Sequence, residues 1–180
     1  MEQATATATG TTTQYLSFML DKEIFALDIS KVREVLDYTS VTKIPQTPEF
    51  MRGVINLRGG VVPVIDMRLK FGLPETETTV NTCIIIAEVQ INSESVVLGA
   101  LCDSVQEVFD LLHDDIEPAP KIGTQINTDF LTGMGKKEEE FVLLLDIDRI
   151  FSAEEIELVQ QARDARHLAG EDVEGTEIEM

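Results

Sequence analysis

The chain has 180 residues, a formal charge of −19, 43% hydrophobic residues, no Trp and two Tyr. That length suits one compact domain, or two very small ones sharing a core. So acidic a chain is a poor general ligand for nucleic acid or for an anionic membrane, both of which reward Lys and Arg.

Residues 1–13 are Ala/Thr-rich, with neither a basic start nor an apolar run, and read as a flexible tail rather than a secretory signal. From Gln14 the pattern alternates with a period of two. Leu16, Phe18 and Leu20 fall on one face and Tyr15, Ser17 and Met19 on the other, as in a strand. Asp21-Lys22-Glu23 is a polar turn, and Ile24 to Ile29 resumes as a second strand. Ser30 to Leu36 is expected to form a short helix, with Val32, Val35 and Leu36 at helical spacing and Ser30 as its cap.

Pro45 and Pro48 interrupt regular structure, with a single turn expected at Pro48 to Met51. Two apolar runs then flank Gly59-Gly60, which predicts a hairpin with those glycines as its two-residue turn. In that register Arg58 opposes Val61, Asn56 opposes Pro63 and Ile55 opposes Val64. Ile55, Leu57, Val62 and Val64 then form a core face. Asn56, Arg58, Val61 and Pro63 share a presented face suited to protein binding, because Arg combines hydrogen bonding with stacking area. Pro63 has no N–H, so its strand is expected to lie at an edge or a bulge.

Between Lys43 and Lys70, five basic residues (Lys43, Arg52, Arg58, Arg68, Lys70) oppose Glu49 and Asp66, a local charge of +3. The plainer alternative is that Arg58 pairs with a nearby carboxylate such as Asp66. Further strands are predicted at Thr82–Ile91, Ser95–Cys102, Val105–Leu111 and Phe141–Asp146, with a Pro-bearing loop from Ile116 to Ile122. Ser152 and Glu155 form a capping box. The helix it starts, over 152–169, carries Leu158, Ala162, Ala165 and Ala169 on one stripe, and residues 170–180 read as an acidic flexible tail. Many short strands without βαβ alternation point to a mainly β fold of small closed barrels.

No catalytic constellation emerges. His113 and His167 stand apart, Asp146-Ile-Asp148 lacks the rest of a calcium loop, and Gly133-Met-Gly-Lys136 lacks the spacing of a phosphate loop. The lone cysteines Cys83 and Cys102 have no metal-ligand spacing and read as reduced core residues, which predicts a cytoplasmic protein. The longest apolar run, Cys83–Ala87, falls far short of the roughly 18 residues of a membrane span. No aromatic residue interleaves Arg52, Arg58 and Arg68 as a base-stacking platform requires, so an oligonucleotide-binding barrel is a distant alternative.

The run Phe50-Met-Arg-Gly-Val-Ile-Asn-Leu-Arg-Gly-Gly-Val-Val-Pro-Val-Ile-Asp-Met-Arg-Leu-Lys-Phe-Gly72 resembles the signature of the CheW family of bacterial chemotaxis coupling proteins. Asp28 to Val35, Gly99 to Val108 and Phe130 to Gly135 agree with it, and the resemblance spans about Gln14 to Phe151. It implies two intertwined five-stranded SH3-like β-barrels over 14–151, with short helices and a C-terminal helix. It also implies a non-catalytic adaptor, without cofactor or metal, between the cytoplasmic tips of chemoreceptors and the regulatory domain of a CheA-type histidine kinase. Receptor contact would fall on Val32, Glu34, Gly53, Asn56 and Arg58. A kinase or array contact would fall on Ile116, Glu117, Pro118, Pro120 and Ile122, although Glu117 stands where the family often has a basic residue. The implied location is the cytoplasm, at membrane-associated receptor arrays, with no membrane insertion and no obligate homo-oligomer outside them. A paralogous coupler of twitching motility or another chemosensory pathway is the nearest alternative, and a CheW-like module of a larger protein is another.

Overall fold

In the computed structural model, residues 11–118 (except 46, 75, 76 and 92), 130–152, 154, 155, 157, 158 and 161 are described. Ten strands dominate: β1 (Thr12–Leu20), β2 (Glu23–Asp28), β3 (Val32–Asp37), β4 (Met51–Leu57), β5 (Gly60–Asp66), β6 (Cys83–Ile91), β7 (Glu94–Cys102), β8 (Ser104–Leu112), β9 (Leu131–Lys137) and β10 (Glu140–Leu145). One short helix, α1 (Met67–Lys70), follows β5. The strands form two five-stranded sheets, ordered β8-β1-β2-β10-β9 and β3-β6-β7-β5-β4.

The expected alternation in β1 has a simple physical outcome. Leu16, Phe18 and Leu20 enter a large core between the sheets, together with Phe25, Leu27, Ile65, Ile85 and Leu98. Tyr15 points the other way, into a smaller core inside the first sheet with Ala26, Leu111, Val142 and Leu144. The second sheet encloses its own small core of Ile55, Val62, Val64, Ile84, Ile86 and Leu101. Each fully buried aliphatic or aromatic side chain contributes roughly 1.5–3 kcal/mol, so the shared layer is the main stabilising element.

The two sheets are one unit, circularly permuted. Read in the order β3-β4-β5-β6-β7 and β8-β9-β10-β1-β2, they have identical wiring. The β4–β5 register, with Leu57 opposite Gly60, Ile55 opposite Val62 and Met51 opposite Ile65, repeats at a constant offset in β9–β10. There Lys137 opposes Glu140, Gly135 opposes Val142 and Leu131 opposes Leu145. Both seams are bridged from the preceding connection, Thr42 to Val54 and Glu117 to Met134. The Asp66 N–H donates to the Phe50 carbonyl at 2.7 Å, and the Asp146 N–H donates to the Phe130 carbonyl at 2.8 Å.

Several local expectations are corrected. Ser30 to Leu36 is not a helix. Asp28 caps a single 3-10 turn over Ile29–Lys31, and Val32–Asp37 then runs as a strand on β6. Half-burial of Val32, Glu34 and Leu36, alternating with exposed Arg33, Val35 and Asp37, satisfies the strand period, and β6 pairing overrides the local helical spacing. β1 starts at Thr12, where Thr11 and Thr13 hydroxyls hold the His113 ring at 3.0 and 2.6 Å. β9 has no counterpart among the expected strands. Pro63 lies in an interior strand, not an edge, at the point just before the β5–β7 ladder begins at Val64.

The Ser152–Glu155 capping box is reciprocal, at 2.9 and 3.1 Å. Ala162, Ala165, Ala169 and His167, like the two terminal tails 1–10 and 170–180, lie outside the described residues, and Leu158 is 40% exposed. The described residues therefore do not establish a helix to Ala169.

Candidate functional site

The site is built on the tip of the β4–β5 hairpin. Leu57 opposes Gly60, so the two-residue turn is Arg58-Gly59, one residue earlier than Gly59-Gly60. Arg58 has φ 53° and Gly59 φ 86°, the two positive values that a type I′ turn demands. Asn56 secures the turn by accepting the Gly59 N–H at 3.1 Å. The shift moves Asn56 opposite Val61 and Pro63 opposite Val54.

That correction changes one face and preserves the other. Ile55, Val62 and Val64 are buried together inside the second sheet, with Leu57 packed against them, as the alternation required. The expected presented face does not exist as drawn, because Pro63 and Val54 are buried and Val61 packs on the central core. Arg58 leaves that face altogether. It extends from the turn with its side chain 70% exposed.

Arg58 meets Glu34 of β3 in a two-pronged pair, Nη1 to Oε2 at 2.5 Å and Nη2 to Oε1 at 2.9 Å. The planar fork of a guanidinium matches a carboxylate in this way, which a Lys could not do. The hydrogen bond from Arg58 holds the Glu34 carboxyl below the usual range, with the Coulombic pull of Arg58 and Arg33 added, and Glu34 raises the guanidinium in return. Beside the pair opens a hollow of about 600 Å³. Leu57, Val62, Ile86 and Val97 give it an apolar lining, and Arg33, Glu34 and Arg58 a charged one.

Of the five residues expected to contact a receptor, Glu34 and Arg58 meet here and Asn56 is exposed at the base of the turn. Gly53 and Val32 are not part of the hollow. At Gly53 φ is 145°, and a Cβ would stand 2.0 Å from the Thr42 carbonyl oxygen, so this glycine permits the Thr42–Val54 bridge. Val32 packs against the central core.

The local charge of +3 does not form an open basic patch. Arg52 pairs with Asp66 at 2.7 Å, and Arg68 with Asp103 at 2.8 Å and Asp21 at 3.3 Å. Lys70 pairs with Glu155 at 3.1 Å.

At the second expected contact, Ile116 packs into the first sheet's core, Glu117 bonds Met134 at 2.9 and 2.7 Å, and Pro118 is exposed. Pro120 and Ile122 lie outside the described residues. A sister ion pair, unexpected from the sequence, joins Lys137 to Glu107, and Glu107 occupies the place of Glu34. A repeated motif carries that signal, Val32-Arg-Glu-Val35 and Val105-Gln-Glu-Val108. Both outer valines are exposed, Val35 to 39% and Val108 to 47%, and Phe141 reaches 61%.

The model of the CheW-like domain matches residues 14–155. The chain belongs to the CheW-like family. It is 39% identical over 146 residues to the chemotaxis protein CheW of Klebsiella aerogenes, covering 81% of this chain and 86% of that one. It is 33% identical over 144 residues to CheW of Rhizobium meliloti, covering 80% and 90%. Among solved structures it is similar to the scaffolding protein TtCheW from Thermoanaerobacter tengcongensis, with a TM-score of 0.71, 34% identity, and coverage of 81% of this chain and 96% of that one. A CheW-family chain is a non-catalytic scaffold of chemotaxis. The two curled sheets are the family's fold, as the signature at Phe50–Gly72 implied. Among the described residues, no helix is long and apolar enough to cross a membrane, and no His/Cys/Asp/Glu group could hold a metal ion.

Proposed function

We propose that this chain couples the cytoplasmic tips of chemoreceptors to a CheA-type histidine kinase, and that the receptor tip seats on the hollow beside Arg58 and Glu34. The observation that carries the reading is Arg58 itself, 70% exposed at a tight turn, held by a carboxylate and set beside a hollow with an apolar floor. Such a surface offers a helical tip an apolar seat with an oriented charge at its rim, and charge complementarity of this kind sets register. Kinase contact falls on the other sheet, where Val108, Leu112 and Phe141 are exposed and Glu117 and Pro118 border the seam.

The coupling is a matter of placement, without covalent chemistry. Contacts that are weak singly gain strength when repeated in an array at the inner membrane surface, where tethering raises effective concentration. Reconstitution tests this. Receptor signalling fragments, the kinase and this chain are co-sedimented, and kinase activity is read with and without receptor ligand. The reading requires a ternary complex whose kinase activity depends on this chain. Receptor control of the kinase at full strength without the chain would overturn it.

A further inference from the structure

Cys83 opens β6, Cys102 closes β7, and the antiparallel register sets the two directly opposite each other. Opposed residues of such a pair share a face, with Cα atoms about 4.5–5.5 Å apart. A disulfide spans Cα separations of roughly 4.4–6.8 Å, so no backbone shift is needed to join them. Both are free thiols, and both turn toward the central core, Cys102 buried within it and Cys83 half-exposed at its margin. Cys83 Sγ donates a weak hydrogen bond to the Asn81 carbonyl at 3.3 Å.

We propose that Cys83 and Cys102 are a redox pair that closes to a cross-strand disulfide when the folded protein meets a hydroperoxide. The two exposures assign the roles. Cys83, within reach of solvent, attacks the peroxide as its thiolate. An S–O bond forms, the O–O bond breaks, and the far oxygen leaves as alkoxide, or as hydroxide from hydrogen peroxide, and takes up a proton, with a sulfenic acid left on Cys83. Cys102 then attacks the Cys83 sulfur. The S–S bond forms, the S–O bond breaks, and the hydroxyl departs as water with the proton that Cys102 gives up. Two thiols are oxidised by two electrons, and one hydroperoxide is reduced to water and its alcohol, or to two waters from hydrogen peroxide. Burial raises the Cys102 thiol well above its ordinary range, which keeps it from reacting first. In a reducing compartment the pair stays open until challenged.

The location gives the bond a consequence. Asp103, next to Cys102, accepts from Arg68 Nε at 2.9 Å, from Arg68 Nη2 at 2.8 Å and from the Asp21 N–H at 2.7 Å, tying the β1–β2 turn to α1. A disulfide would fasten the end of β7 just where the chain crosses from one sheet to the other.

The test treats the folded, full-length protein with hydrogen peroxide and counts free thiols, then maps peptides without reductant. The expected result is two thiols falling to none, a monomer lighter by two hydrogens, and a Cys83–Cys102 linked peptide. The melting midpoint should rise by several degrees and return with dithiothreitol. In Cys83→Ser, Cys102 should remain a thiol under the same treatment. Sulfinic acid on Cys83 beside a free Cys102, linkage between two chains, or linkage that forms only in urea would each overturn the proposal.

Discussion

Phe130 stands just before β9 as Phe50 stands just before β4, and Lys70 Nζ lies 5.1 Å from the centroid of both rings. The relation extends outward. Phe50 packs on Phe151 at 5.8 Å, and Phe130 packs on Phe71 at 5.6 Å, so each ring reaches the aromatic residue that follows the opposite hairpin. Repetition makes the differences between the halves informative. Where one turn has Arg58-Gly59, its sister has Glu138-Glu139, and where one half has Glu34 beneath Arg58, the other has Glu107 beneath Lys137.

The sister turn is strained. Glu138 and Glu139 have φ values of 50° and 74°, in the left-handed region that costs a side-chain-bearing residue roughly 1–2 kcal/mol. Glu139→Gly, which copies Gly59, should stabilise the fold by about 1 kcal/mol, offset in part by added freedom of the unfolded chain. Urea unfolding with an unchanged slope checks it. A lower midpoint would mean that the Glu139 side chain contributes more than its backbone costs.

Gly53 and Gly59 both have positive φ, but their surroundings differ. A Cβ at Gly53 collides with the Thr42 carbonyl, whereas one at Gly59 meets nothing within 4 Å. Gly53→Ala should therefore cost about 3 kcal/mol, through strain and loss of the seam bridge. Gly59→Ala should cost about 1 kcal/mol, from backbone conformation alone. Equal losses in chemical denaturation would refute the distinction.

Glu34 should titrate below an ordinary glutamate, because Arg58 bonds its ionised form. A carboxyl whose folded pKa is depressed contributes stability above its unfolded pKa and loses it as pH falls through the folded value. The fork is accordingly intact at neutral pH and opens only in acid. Carboxyl-carbon NMR titration should place the Glu34 midpoint below those of exposed glutamates, and Arg58→Ala should return it to their range.

Much of this was legible from the chain, and the failures have physical causes. Period-two alternation marked β1, and apolar runs rich in Val, Ile and Leu marked β5, β6 and β7, since a strand with buried faces leaves little other choice of residue. β3 fits both a helix and a strand locally, and only pairing with distant β6 decides. β9 was hidden because Gly133 and Gly135 replace strand formers. A Cβ at Gly133 would lie 2.8 Å from the Glu117 carbonyl oxygen, which demands glycine, and one at Gly135 would lie 2.5 Å from Leu111 Cδ2, which would have to move aside. The turn slipped by one residue because Gly59-Gly60 is the stronger local signal, while the chain places Arg58 in a left-handed conformation. That Glu34, rather than Asp66, receives Arg58 is a contact between separate strands, and spacing alone could not supply it.

Reversing the charge at the turn separates binding from folding. Arg58→Glu should weaken binding of a receptor signalling fragment by roughly tenfold or more, because an interface Arg is lost and the new carboxylate faces the like charge of Glu34. Its far-UV spectrum should match the parent, because the side chain is largely solvent-exposed. Unchanged affinity in calorimetry would remove Arg58 from the interface.

Amide NMR of the labelled protein, titrated with a receptor signalling fragment, shows whether the receptor tip seats on the hollow beside Arg58 and Glu34. The largest shifts should cluster at Arg33, Glu34, Leu57, Arg58, Ile86 and Val97, around the hollow. Shifts confined to the opposite sheet, with these amides unmoved at saturation, would rule out the hollow as the receptor seat.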